Sequence, residues 1–155
     1  MNYKEIELKE VLDDEKRNDL KSFISNHSKK QSKDRLLANK LLSIQYRMED
    51  YIGNENNQNE VFKILDFVKM YLKVLNITKK SLAKYFEMED SNLHKYLSGE
   101  RKLNAELAVK LSSFSHTKPE QWYRVQIKNE LIKFKKEQKN IDDFKKYDFK
   151  NFVSA

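Results

Sequence analysis

An all-α fold is predicted, and three observations predict it. The chain has 155 residues but only 2 Gly and 1 Pro, too few turn residues for the many hairpins of a sandwich or barrel. Its apolar residues recur at steps of three and four, the period of a helix with one buried stripe. The polar breaks between these stretches carry helix-start residues (Thr78, Asp90, Asn104) and a helix-stop residue, Gly99.

Composition bounds the rest. Hydrophobic residues make up 39% and charged residues 35%, which suits one helical domain with extensions and a large polar surface. There is no Cys, so neither a disulfide framework nor thiolate chemistry is expected. No long apolar run and no secretory signal pattern is present, and a cytoplasmic location is expected. Net charge is +7 and unevenly spread. Residues 1–60 hold 11 Lys/Arg against 12 Asp/Glu, and residues 61–155 hold 20 against 12. The basic excess therefore lies in the second part, as phosphate binding would require. Lys outnumbers Arg and Asn is abundant, so an AT-rich coding sequence accounts for a share of that excess.

Residues 3–26 read as a first helix, with Ile6, Val11, Leu12, Leu20, Phe23 and Ile24 as its apolar members. Residues 26–34, NHSKKQSKD, read as a loop. A stronger helix is predicted over 34–52. There Leu37, Leu41, Ile44, Met48 and Tyr51 follow one another at 4, 3, 4 and 3, the narrow seam of a helix lying along another. Two partners fit that seam equally, residues 3–26 of the same chain or a second copy. Residues 53–59, GNENNQN, read as a linker and the main domain boundary. The expected organisation is an N-terminal helical extension over 1–58, a domain over 59–138, and a tail over 139–155.

Residues 60–75 are apolar over a wide arc (Val61, Phe62, Ile64, Leu65, Phe67, Val68, Tyr71, Leu72) and should form a well-buried helix. The next stretch, TKKSLAKYFEMEDSNLHKYLSG from Thr78 to Gly99, organises the domain. Thr78 is a good N-cap, with Ser81 where a capping box carries Glu or Gln. Leu82, Ala83 and Phe86 give a short helix one buried face. Glu87, Met88 and Glu89 break the pattern, and Asp90 reads as a second N-cap. Leu93 and Leu97 form the inner edge of a second helix, which ends at Gly99. Two short helices joined by a tight turn, with small Ala83 where they cross, make a helix-turn-helix. The outer face of the second helix carries Ser91, Asn92, His94, Lys95 and Ser98, a polar and partly cationic surface that fits a major groove.

A further helix begins at Asn104, with Leu107, Ala108 and Leu111 inward and Phe114 near its end. Pro119 occupies the first-turn position it prefers, after Thr117 or Lys118 as cap. That last helix runs to about 138, with Trp122, Val125, Leu131 or Ile132, and Phe134 as contacts. Beyond it, Lys133, Lys135, Lys136, Lys139, Lys145, Lys146 and Lys150 interleave with Ile141, Phe144, Tyr147, Phe149, Phe152 and Val153. This basic, aromatic tail is either a partly ordered terminus, a docking segment or a second phosphate contact.

The layout of five helices with the second and third as a tight pair resembles the Cro-type (Xre family) helix-turn-helix domain, a lambda-repressor-like fold. Residues 61–130 are similar to its HigA-like antitoxin branch. The matching residues are Leu82-Ala83-Lys84, Gly99, Arg101-Lys102, Asn104 with Ala108 and Leu111, and Thr117 with Pro119, Glu120 and Trp122. Two positions depart from the pattern: Glu87 stands where the turn usually has Gly, and Asn104 where a Thr is common. Glu87 costs stability if its backbone is left-handed.

The resemblance implies a homodimer on a pseudo-palindromic duplex DNA operator, with recognition helices in successive major grooves. Ser91, Asn92 and Lys95 then fall on base edges, Asn to adenine and Lys to guanine. Lys79, Lys80, Ser98, Arg101 and Lys102 fall on phosphates. The resemblance also implies a HigB-like toxin partner, an mRNA-cleaving ribonuclease, for which residues 1–58 are the nominated surface. A stand-alone regulator of phage or mobile-element type, with no toxin, is the alternative. Neither cofactor nor metal is expected. His27, His94 and His116 lack zinc-ligand spacing, and adjacent Asp142 and Asp143 point apart on a helix. No nucleophile sits in a catalytic motif, so enzymatic activity is not expected.

Overall fold

The longest element, α1, runs unbroken from Asp14 to Gly53, 40 residues, in a computed structural model that describes residues 14–55, 60–138 and 140–154. The loop expected over 26–34 is helical. Its polarity misled: NHSKKQSKD holds no Gly or Pro, and Lys and Gln are good helix formers, so nothing there stops a helix. Residues 14–26 continue the same helix as 37–51 and so do not lie back along that seam. Ile6, Val11 and Leu12 lie outside the described residues.

The chain divides into two compact units, Met1–Lys40 and Leu41–Ala155. The division falls within α1, upstream of the linker expected at 53–59. In the first unit, no described side chain is buried. In the second, Ile44, Met48 and Tyr51 of α1 belong to the main core. The lower half of the seam thus packs on helices of its own chain.

The second unit continues with α2 (Ile64–Leu75), α3 (Lys79–Tyr85), α4 (Asp90–Leu97), α5 (Ala105–Ser115) and α6 (Pro119–Glu137). A 3-10 helix (Ile141–Tyr147) and a short α7 (Phe149–Val153) follow. Among the described residues there is no strand, and no helix is long and apolar enough to cross a membrane. The core gathers Leu65, Phe67, Val68 and Tyr71 of α2, Leu82 and Ala83 of α3, and Leu93 and Leu97 of α4. Leu107, Ala108 and Leu111 of α5 and Trp122 and Val125 of α6 join them. An aromatic row crosses it. Phe86 meets Phe114 edge-on at 5.9 Å, and Tyr71 touches both Phe114 and Trp122 at 6.3 Å, geometries that favour aromatic pairs beyond their buried area.

Three tight corners set the helix order. After α2, Asn76 is left-handed (φ 54), and the Ile77 N–H donates to Leu72 O at 3.0 Å. After α3, Glu87 is left-handed (φ 58), while Met88 N–H reaches Ala83 O at 2.8 Å and Glu87 N–H reaches Lys84 O at 3.0 Å. Both are Schellman closures, which satisfy the last carbonyls of a helix. After α5, His116 is left-handed (φ 56). There Thr117 is buried and accepts from Trp122 Nε1 at 3.0 Å, and its hydroxyl lies 2.6 Å from Ser115 Oγ. Thr117 therefore anchors the Trp122 indole rather than capping α6; Lys118 is the N-cap, with Pro119 first in the helix.

The end of α1 is tied to α6. Lys128 Nζ donates to Tyr51 O and, at 2.8 Å, to Asn54 O. Asn129 Nδ2 donates to Phe62 O at 2.9 Å, and its Oδ1 accepts from the Tyr51 hydroxyl. Burial raises the Tyr51 pKa, with Asp66 adding to the rise and the Phe62 backbone opposing it.

Candidate nucleic-acid interface

α3 and α4 are short, so their ends decide their placement. Thr78 caps α3 through a reciprocal pair. Its Oγ1 accepts from Ser81 N–H at 3.1 Å, and Ser81 Oγ accepts from Thr78 N–H at 3.2 Å. Ser81 thus performs the part a Glu or Gln plays in the usual box. The other end of α3 is held from outside, where Lys110 Nζ donates to Phe86 O at 2.6 Å.

Asp90 is not the cap expected of it. Glu89 holds the extended N-cap backbone (φ −71, ψ 142), without a side-chain cap bond, and Asp90 is the first residue of α4. The Schellman closure at Glu87 and Met88 uses up the turn and moves the extended residue to Glu89. From its position Asp90 still complements the positive end of the helix, and its Oδ1 lies 3.7 Å from Lys79 Nζ.

Lys79, expected on a phosphate, points into the helix pair instead. Half-buried, its ammonium bonds His94 Nδ1 at 2.9 Å beside Asp90. Lys79 therefore pins α3 to α4. Ser98 is also committed, since its Oγ donates to Lys95 O at 3.3 Å. A hydroxyl has one proton to give, and a phosphate oxygen offers only acceptors.

The other expected site residues share one surface. Leu93 and Leu97 point inward and are fully buried. On the opposite side of α4, Ser91 is exposed and Asn92 and Lys95 are half-buried. Arg101 joins them: its Nη1 donates to Asn92 Oδ1 at 2.7 Å, and its guanidinium lies 6.0 Å from the Tyr96 ring centroid. This bond fixes the amide with its NH₂ group free, and leaves Oδ1 a second lone pair. An amide so placed can still pair with both the N6 and N7 of adenine. Arg101 is brought back by the turn at Gly99 (φ 88), where Arg101 N–H donates to Lys95 O at 2.9 Å. Lys80, Arg101 and Lys102 are exposed around this face. Lys102 stands 4.0 Å from Glu130 with its side chain 82% exposed, so that ion pair is worth little and frees the ammonium readily.

Behind the face, α5 is set by Asn104, whose Oδ1 accepts from Leu107 N–H at 2.8 Å and whose Nδ2 contacts the Tyr96 hydroxyl at 3.4 Å. Gln126 of α6 accepts from Leu103 N–H. These two bonds place the 98–103 segment and with it Arg101 and Lys102. Sequence reasoning found Asn104 as a cap but missed Tyr96 and Gln126 as positioning residues, because only the folded chain brings them to this segment. In the tail, Phe144 packs on Phe134 at 5.5 Å, and Asp142 pairs with Lys145 at 3.2 Å. Lys139 lies outside the described residues.

No family model matches this chain, and neither the curated proteins nor the solved structures hold a match to it.

Proposed function

We propose that this protein is a sequence-specific, duplex-DNA-binding regulator of the lambda-repressor-like helix-turn-helix type, with α3 and α4 as the motif and α4 as the reading helix. One observation carries the reading: on the outward side of α4, the Asn92 amide is oriented by Arg101 beside Ser91 and Lys95, with Lys80 and Lys102 exposed around them. Asn92 and Lys95 are donors of the kind that read purine edges, and the surrounding cations suit phosphates. Ser91, Asn92 and Lys95 read bases. Lys80, Arg101 and Lys102 hold the backbone, while Lys79 and Ser98 act by positioning.

The reading extends to a HigA-like antitoxin that represses its own operon as a homodimer and neutralises a HigB-like toxin. That extension is supported by the resemblance over residues 61–130. Co-expression with the neighbouring open reading frame separates it from a stand-alone regulator: an antitoxin rescues growth from a toxic small protein and co-purifies with it.

Binding to DNA from the gene's own upstream region, over a range of salt concentrations, tests the central claim. Asn92→Ala is expected to cost ~1–3 kcal/mol on the best site and to relax one base position. Lys102→Ala should lower the salt slope by about one unit and leave sequence preference unchanged. Equal weakening of every sequence by Asn92→Ala would remove Asn92 as a reader.

A further inference from the structure

A pocket of about 310 Å³ lies at the C-terminal end of α4, between it, the start of α2 and α6. At a water's share of about 30 Å³ it has room for roughly ten non-hydrogen atoms, the low end of the range that takes small organic ligands. Its floor is apolar: Ile64 and Leu97 are buried, with Val61 and the Tyr96 ring beside them. A DNA phosphate gains nothing from such a floor, whereas the apolar body of an organic molecule does.

The polar groups around the pocket select the molecule. Asn129 is spent, since its Nδ2 donates to Phe62 O and its Oδ1 accepts from the Tyr51 hydroxyl. Gln126 Oε1 accepts from Leu103 N–H, which leaves its NH₂ group to donate. Lys63, Lys102 and Lys133 line the pocket and are exposed. Among the described residues Lys63 and Lys133 have no ion-pair partner, and Lys102 has only the loose contact with Glu130 at 4.0 Å. Three ammonium groups thus stand against one carboxylate. We propose that this pocket binds a small organic anion, a carboxylate on an apolar chain, with the chain on Ile64 and Leu97 and the charge among Lys63, Lys102 and Lys133.

Gly99, Arg101 and Lys102 form one wall of the same pocket. An anion that draws in Lys102 removes a phosphate contact, so the ligand should weaken DNA binding, and DNA should weaken ligand binding by the same factor. That effect rests on the α4 reading. Occupancy of the pocket does not, and is measured without DNA.

Titration of the full chain with octanoate, followed by amide NMR shifts, tests it. Saturable binding at about millimolar concentration or tighter is expected, with the largest shifts at Ile64, Ser98 and Gly99. Affinity should rise about threefold or more per methylene from butanoate to octanoate, and inorganic phosphate should bind far more weakly. Val61→Trp, which fills the pocket, should lower octanoate affinity by about tenfold or more, and Lys133→Glu by about three- to tenfold. Lys135→Glu, in a separate groove of α6, should leave it unchanged. Val61 and Lys133 are exposed, so circular dichroism should show both variants folded. No saturation by about 10 mM octanoate overturns the proposal. So does phosphate binding as tightly as octanoate, the result a DNA-backbone contact alone would give. Shifts centred on Ile127 and Leu131 of the separate groove, or an affinity that Val61→Trp or Lys133→Glu leaves unmoved, overturn it as well. Failure to bind DNA with octanoate binding intact would instead count against the α4 reading alone.

Discussion

Residues 14–40 and the helices of the second unit carry the same sequence signal and meet opposite fates. Both have apolar side chains at helical spacing. In α2, Tyr71 is 1% exposed and touches two other rings, whereas Phe23 of α1 is 68% exposed and its nearest ring is His27, stacked at 6.1 Å. Width of the apolar arc makes the difference. The α2 stripe is broad, and a broad stripe needs several neighbours within its own domain. The stripe over residues 20–37 is narrow and polar at its centre, which suits one partner lying alongside.

Substitutions can break or sharpen this contrast. The largest effect belongs to Trp122→Ala. It opens a cavity beside Tyr71 and strips the buried Thr117 hydroxyl of its indole donor, so unfolding free energy should fall by ~3–5 kcal/mol in a denaturant titration. Next comes Tyr71, whose hydroxyl is buried without a hydrogen-bond partner among the described residues and whose pKa burial pushes up to about 12 from 10.0. The fold favours the protonated phenol. Its contribution is therefore intact below pH 10 and lost as pH rises through about 12. Stability measured across that window should drop by about 2 kcal/mol less in Tyr71→Phe than in the wild type. At neutral pH the same variant should match or slightly exceed the wild type.

Glu87→Gly is smaller and of opposite sign. A left-handed residue with a β-carbon costs more than glycine there (φ 58), so the variant should gain about 0.5–1 kcal/mol in thermal or chemical unfolding. The smallest effect is Phe23→Ala. Followed by fluorescence of the single Trp, unfolding of the core should shift by less than about 0.5 kcal/mol. A larger shift would mean that residues 14–40 support the core after all.

The contrast also explains which features could be read from the chain. α2 to α6 were legible because their periodicity, their caps at Thr78 and Asn104, and Pro119 all point the same way. Residues 26–34 are polar enough to read as a loop, yet they are helical, because polarity alone does not stop a helix and the stretch holds no Gly or Pro. The cap at Asp90 was misplaced by one residue, because the left-handed Glu87 consumes part of the turn. Within the candidate site, the type of each side chain was legible and its bonding was not. Arg101 chooses Asn92 nine positions away, and Lys79 chooses His94 fifteen positions away. Such choices depend on where the two helices come to rest, which no spacing rule encodes.

The clasp at α6 has one more outcome. Lys128 and Asn129, neighbours in sequence, grip the carbonyls of Tyr51 and Asn54 on one side and of Phe62 on the other. Both shores of the connection between α1 and α2 are moored to the same turn of helix. Extra residues spliced in near Glu55 need only span a fixed gap, and doubling such a bridge costs about 0.6 kcal/mol. A tag, a reporter or new chain ends introduced at that point should leave the domain standing.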